Sequence, residues 1–143
     1  MSKNEIIPFA IKTIVTEEFA TIESNYKEKE EVTLESGFKF GIDKEEHSLA
    51  VRFEISFLCE KGPFIILKTS CHFDIEQKAF LRFLDKKSSQ YIIPKDFFIH
   101  LSALTVGTAR GILHAKLDNT KFDQFVLPTM NIAEMIEEDV VFE

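Results

Sequence analysis

Residues 6–22 place β-branched and aromatic side chains at every second position (Ile7, Phe9, Ile11, Thr13, Val15), which predicts a strand with one buried face and a bend or bulge near Glu17-Glu18. A charged connector (25–31, NYKEKEE) follows. Residues 32–43 then alternate again through Val32, Leu34, Phe38, Phe40 and Ile42, with Ser36-Gly37 as the expected irregularity between two half-strands. Beyond a charged turn comes the clearest strand of the chain. Val51, Phe53, Ile55 and Phe57 face one way while Arg52, Glu54 and Ser56 face the other, so one side of the sheet meets water. Glu60-Lys61-Gly62-Pro63 is turn chemistry, and 64–75 (FIILKTSCHFDI) continues as a fourth strand, making 49–75 a hairpin. The sheet is expected over 6–75.

After residue 75 the alternation stops. The link 76–93 (EQKAFLRFLDKKSSQYII) holds an apolar cluster, Phe80, Phe83 and Leu84, able to wind into a short helical turn in an otherwise polar stretch. Links of this length are uncommon unless they have a function, so it is a candidate functional segment. From 94 to 117 the period becomes helical, with Pro94 at the start, Asp96 in the first turn and Arg110, His114 and Lys116 toward the end, which suits the helix dipole. About 22 residues at ~1.5 Å each make a helix of roughly 33 Å.

Two apolar stripes run along this helix. Phe97, Leu101, Leu104, Thr108, Ile112 and Ala115 form one, and Phe98, Ser102, Val106, Ala109, Leu113 and Leu117 the other. A helix resting on one sheet needs only one. A third strip carries His100, Ala103, Gly107, Arg110, Gly111 and His114, and each helical glycine costs about 1 kcal/mol relative to alanine. Another backbone is therefore expected to approach this face, either the chain's own sheet or, as the second apolar stripe favours, a helix of another subunit. The implied assembly is a homo-oligomer. Farther on, an apolar stretch 122–127 and Pro128 precede Asn131 and Glu134, spaced as a capping box for a short second helix with Ile132, Met135 and Ile136 inward (131–138).

Composition narrows the function. At 143 residues the chain suits one domain, and its net charge of −7 repels phosphate backbones and anionic lipid surfaces, so nucleic acids are poor partners. No run of ~18 apolar residues exists for membrane insertion, and the opening MSKNEIIPFA lacks the pattern of a signal peptide, so a cytoplasmic location is expected. Fifteen Phe stand against two Tyr and no Trp, a composition suited to a core and equally to an apolar groove that does not select sequence. Cys59 and Cys71 fall roughly 20 Å apart along the hairpin, beyond disulfide reach.

Catalytic signals are weak. Adjacent strand residues Cys71 and His72 point to opposite faces, and His100 and His114 lie nearly four helical turns apart, too far to share a metal. No phosphate-loop, dinucleotide-binding, zinc-protease or nucleophile-elbow motif is present. Neither catalytic residues nor a metal nor a cofactor is expected. An antiparallel sheet around a long helix also describes hotdog thioesterases, which are the enzymatic alternative.

Residues 100–136 (HLSALTVGTARGILHAKLDNTKFDQFVLPTMNIAEMI) resemble the C-terminal half of the SecB family of export chaperones, through Arg110, Gly111, Phe125-Val126-Leu127, Pro128 and Asn131, and PFAIKTIVTEE is similar to that family's first strand. The resemblance implies an α+β fold, a four-stranded antiparallel sheet with one long and one short C-terminal helix, assembled as a dimer of dimers. It implies an ATP-independent holdase for unfolded polypeptides, such as preproteins bound for export. Client-binding positions would be Phe38, Phe40, Phe73, Ile75, Phe80, Phe83, Leu84 and Tyr91, and the subunit interface would be Leu101, Leu104, Gly107, Thr108 and Gly111. Glu18 and Glu23 would belong to the acidic patch that docks the SecA motor, although His72 and Ser70 stand where the family has an acid and an apolar residue. Some relatives serve toxin–antitoxin systems instead, guarding one antitoxin.

Overall fold

A computed structural model describes residues 6–143; residues 1–5, part of the opening stretch read above for a leader, lie outside the described residues. Strands β1 (Phe9–Thr21), β2 (Thr33–Asp43), β3 (Ser48–Cys59) and β4 (Gly62–Ile75) form an antiparallel sheet in the order β1-β4-β3-β2. The central pair is the hairpin of the sequence. Its turn closes between Cys59 and Gly62, where Gly62 takes a φ of 134°, a conformation that glycine adopts without steric cost. Leu49, Val51, Phe53, Ile55 and Phe57 of β3 are all buried on one face, whereas Arg52 and Glu54 stand on the other.

Two bulges interrupt β1. The register skips Glu17, at the bend read from the sequence, and also skips Lys12. The Lys12 bulge corrects the simple alternation, because an inserted residue flips every later side chain to the other face. Ile11 pairs with Phe73 and Ile14 with Cys71 on the helix side, while Thr13 and Val15 turn to the wet side opposite His72 and Ser70. Strand β2, in contrast, has no break at Ser36-Gly37. Its register with β3 is continuous from Thr33 to Asp43, and the Cβ that Gly37 lacks would meet nothing within 4 Å.

The link holds α1 (Gln77–Arg82), β5 (Leu84–Asp85) and β6 (Gln90–Ile93), and the long helix α2 (Lys95–Leu117) follows Pro94. A one-turn helix, α3 (Ile132–Met135), is shorter than the 131–138 span expected. Asn131 makes no side-chain cap, so the capping box does not form. The last strand, β7 (Val140–Phe142), pairs with β6 to give a second antiparallel sheet, β5-β6-β7. The link is thus structured by a partner far along the chain, which local periodicity cannot reveal.

Helix α2 lies over β3 and β4 and buries Phe98, Ser102, Val106, Ala109, Leu113 and Leu117, one of the two stripes. Arg110 ties the following segment to the helix. Its Nε donates to the carbonyl of Leu127 at 2.8 Å and its Nη2 to that of Pro128 at 2.8 Å. Leu127 is thereby held in a core shared with Phe64 and Phe122. Charged donors to carbonyls contribute roughly 1.5–3 kcal/mol each when well shielded and less near the surface. Replacing Arg110→Ala should lower the unfolding free energy by about 1–3 kcal/mol, read from the midpoint of urea denaturation at unchanged slope.

Candidate functional site

The sheet carries four strands and α2 covers the middle two, so the helix-facing side chains of both edge strands lie beside the helix rather than under it. On the β1 flank, Phe9 meets Phe97 edge-on at 5.6 Å and His100 at 5.6 Å, and the Lys116 ammonium lies 5.7 Å from the Phe19 ring. Helix and strand therefore run side by side in the same direction. Between those ends the surface is open and apolar, with Ile11 45%, Ile14 50% and Leu104 36% exposed. A Cβ added at Gly107 or Gly111 would meet nothing within 4 Å, so the chain's own sheet does not require either glycine.

Of the expected interface residues, Leu104, Gly107 and Gly111 are exposed, and Thr108 is half-buried, its Oγ1 donating to the Leu104 carbonyl at 2.9 Å. Leu101 is a correction. It is fully buried in the protomer's own core, because its place on the helix turns it toward Phe73 and Phe98 rather than outward.

On the β2 flank, Phe38 and Phe40 stack at 6.2 Å with their planes 9° apart, Phe38 lying on Phe53 at 4.9 Å and Phe40 on Phe98 at 4.5 Å. Both are half-buried, as are Leu84 and Tyr91. Phe73, Ile75, Phe80 and Phe83 are corrections, since all four are buried. Helix α1 folds Phe80 into the sheet end, where His47 covers it at 5.1 Å and Tyr91 packs at 5.2 Å, so these rings serve the core. Leu34, Ile99 and Met130, none of them among the expected client-binding positions, are partly buried against a second core cluster built on Phe53, Phe64 and Leu113, and Val126 is 58% exposed. Only the alternation of β2 hinted at Leu34.

No protein-family model and no curated protein matches the sequence. Among solved structures, the chain is similar to a SecB-like chaperone of Mycobacterium tuberculosis in complex with a ChAD peptide from the HigA1 antitoxin. The likeness is 9% in sequence identity, spans 86% of this chain and 91% of that one, and has a TM-score of 0.45.

The wet face carries paired charges. Beyond the end of β1, Glu23 of a 3-10 turn lies 3.6 Å from Lys121, which follows α2, and on the wet face Glu18 lies 3.6 Å from Lys68. Each acid thus already has a cationic partner. At the centre of this face Glu54 gathers Lys39 at 3.3 Å, Arg52 at 3.5 Å and Lys68 at 3.7 Å. Burial pushes its carboxyl up, but the hydrogen bond and charge of Lys39 with the charges of Arg52 and Lys68 outweigh it and hold Glu54 below the usual carboxylate range. Cys59 and Cys71 are free and buried. Among the described residues no cluster of His, Cys, Asp or Glu could hold a metal, and no helix is long and apolar enough to cross a membrane.

Two outcomes follow. Phe80→Ala should cost about 3–5 kcal/mol in chemical denaturation, as deletion of a fully buried ring does, while Phe38→Ala costs distinctly less because its ring is part open. For Glu54 the folded-state pKa is depressed, so its contribution to stability is present above the unfolded value and lost as pH falls through the folded one. The stability gap between wild type and Glu54→Gln should therefore close on acidification from about pH 4.3 downward, measured by thermal unfolding across a pH series.

Proposed function

We propose that this chain is an ATP-independent holdase that self-associates through the β1 flank and holds unfolded polypeptide along the β2 flank. The observation that carries the reading is that α2 covers only the two central strands, leaving apolar helix-facing residues open on both sides. The two flanks differ in shape. Ile11, Ile14 and Leu104 border a helix surface flattened by Gly107 and Gly111, which suits close approach of a second α2. Phe38 and Phe40 offer stacked rings without polar tips beside the free edge of β2, which suits an extended chain of any sequence.

Each such contact is modest, at about 25 cal/mol per Å² of apolar area removed from water, so a single site holds a client loosely. Several flanks on one assembly, arranged as a dimer of dimers, raise the hold by effective concentration. No nucleotide is needed, because capture is burial of apolar surface. Preproteins awaiting export are the proposed clients and the cytoplasm the proposed location; a single antitoxin client would use the same flank. A motor such as SecA, docking on Glu18 and Glu23, would have to displace Lys68 and Lys121 from them. The polar side chains fully buried under α2 are hydroxyls, Thr69, Ser102 and Thr105, and this supports binding over thioester hydrolysis.

The test is light scattering of a chemically unfolded protein diluted into buffer with increasing amounts of this chain and no ATP. Suppression should saturate at a fixed ratio and weaken in Phe38→Gln; no suppression at several-fold excess overturns the reading. Gly111→Leu should give a folded protomer, since the added side chain meets open space, yet reduce the sedimenting mass. An unchanged mass would remove the β1 flank from the assembly.

A further inference from the structure

The segment that follows α3 sits in the structure as an extended ligand would. Val140 and Phe142 pair with Ile93 and Tyr91 of β6, while Val141 pairs with Ile92 and is 50% exposed. Phe142 stands 6.3 Å from Phe98, the ring on which Phe40 of the β2 flank also lies. The Asp139 carboxylate accepts a hydrogen bond from the backbone N–H of Lys95 at 2.9 Å and so caps the start of α2. Lys44 donates to the Glu143 carbonyl and lies 5.6 Å from the Tyr91 ring. The cradle is thus an edge strand, two apolar seats, a helix N-terminus and a lysine.

Charge complements this fit. Residues 76–96, which supply α1, β5, β6 and the first turn of α2, carry Lys78, Arg82, Lys86, Lys87 and Lys95 against Glu76, Asp85 and Asp96, a surplus of two cations in a chain whose net charge is −7. The segment 137–143 (EEDVVFE) is acidic around its apolar pair. Every contact it makes uses backbone, one acid or an apolar side chain at alternate positions, so other extended segments can make the same set. With three residues paired to one short strand, β7 is held by few hydrogen bonds.

We infer that β6, Phe98 and the N-terminus of α2 form a binding site for extended polypeptide carrying an acid followed at the first and third positions by apolar residues, and that 139–142 occupies it until such a segment displaces it. The inference rests on the polypeptide-binding reading above and adds a place, a sequence preference and a regulation to it.

The probe is a fluorescently labelled peptide of sequence EEDVVFE, followed by anisotropy with the full-length protein. Phe142→Ala loosens the built-in strand, and Ile92→Cys with Val141→Cys locks it under oxidation, the native thiols being buried. The Phe142→Ala protein should bind the peptide at least tenfold more tightly than wild type. The oxidised locked protein should bind none and regain wild-type binding on reduction, and replacing the peptide's own phenylalanine by alanine should abolish the signal. Equal binding by all forms, or none by the loosened form when circular dichroism shows it folded, overturns the inference. If Phe142→Ala does not fold, the redox dependence of the locked protein decides alone. Running the scattering assay on the same proteins separates the two proposals. Peptide binding without suppression leaves this site and removes the holdase; suppression without peptide binding by the folded, loosened form leaves the holdase and removes this site.

Discussion

An α-helix with its side chains is about 10–12 Å across, and strands lie about 4.8 Å apart, so one helix can shelter roughly two strands of a sheet. The main sheet of this chain has four strands, and one long helix lies on it. The mismatch organises everything else. The hairpin of β3 and β4 takes the centre and buries Phe53, Phe64 and Phe73 completely, and the edge strands keep apolar side chains they cannot hide. A second helix layer would have sealed the sheet; here α1, the segment around Phe122 and Leu127, and β7 cover only its ends.

The sheltered core divides in two where hydroxyls interrupt it. Thr69 on β4 and Ser102 and Thr105 on α2 lie between a cluster built on Phe53, Phe64 and Leu113 and another built on Phe73, Phe80 and Leu101. Thr105 satisfies itself on the Leu101 carbonyl at 2.9 Å. The second cluster is the one on which the link, β6 and β7 rest, so the proposed regulated site and the rings first expected to bind clients share one foundation. Burial of Phe80 and Phe83 is then support for Tyr91 and Phe98 rather than a contact surface of its own.

Where the sequence misled, the cause was non-local. A run such as Ile7 to Val15 states its period but not the extra residue at Lys12, because a bulge is chosen by how the partner strand aligns. The phenylalanines of the link looked available because nothing nearby in sequence covers them, and the sheet end that does so is brought there by the chain's return. Asn131 and Glu134 had the spacing of a capping box, yet the helix there is too short to set that geometry. Leu101 was assigned outward with its stripe, but a stripe that straddles the edge of the contact is buried at one residue and open at the next.

Alternation over β3, the turn at Gly62, the helical period beginning beside Pro94 and the two glycines of α2 were determined by the sequence alone, because each expresses a local rule of backbone geometry or one-sided burial. Which stripe of α2 meets the sheet, which phenylalanines are closed, that Gly107 and Gly111 face open space, and that 139–142 lies against β6 were decided only by the tertiary structure. These depend on the width of one helix against four strands and on segments distant in sequence meeting in space, quantities that no local window of residues contains.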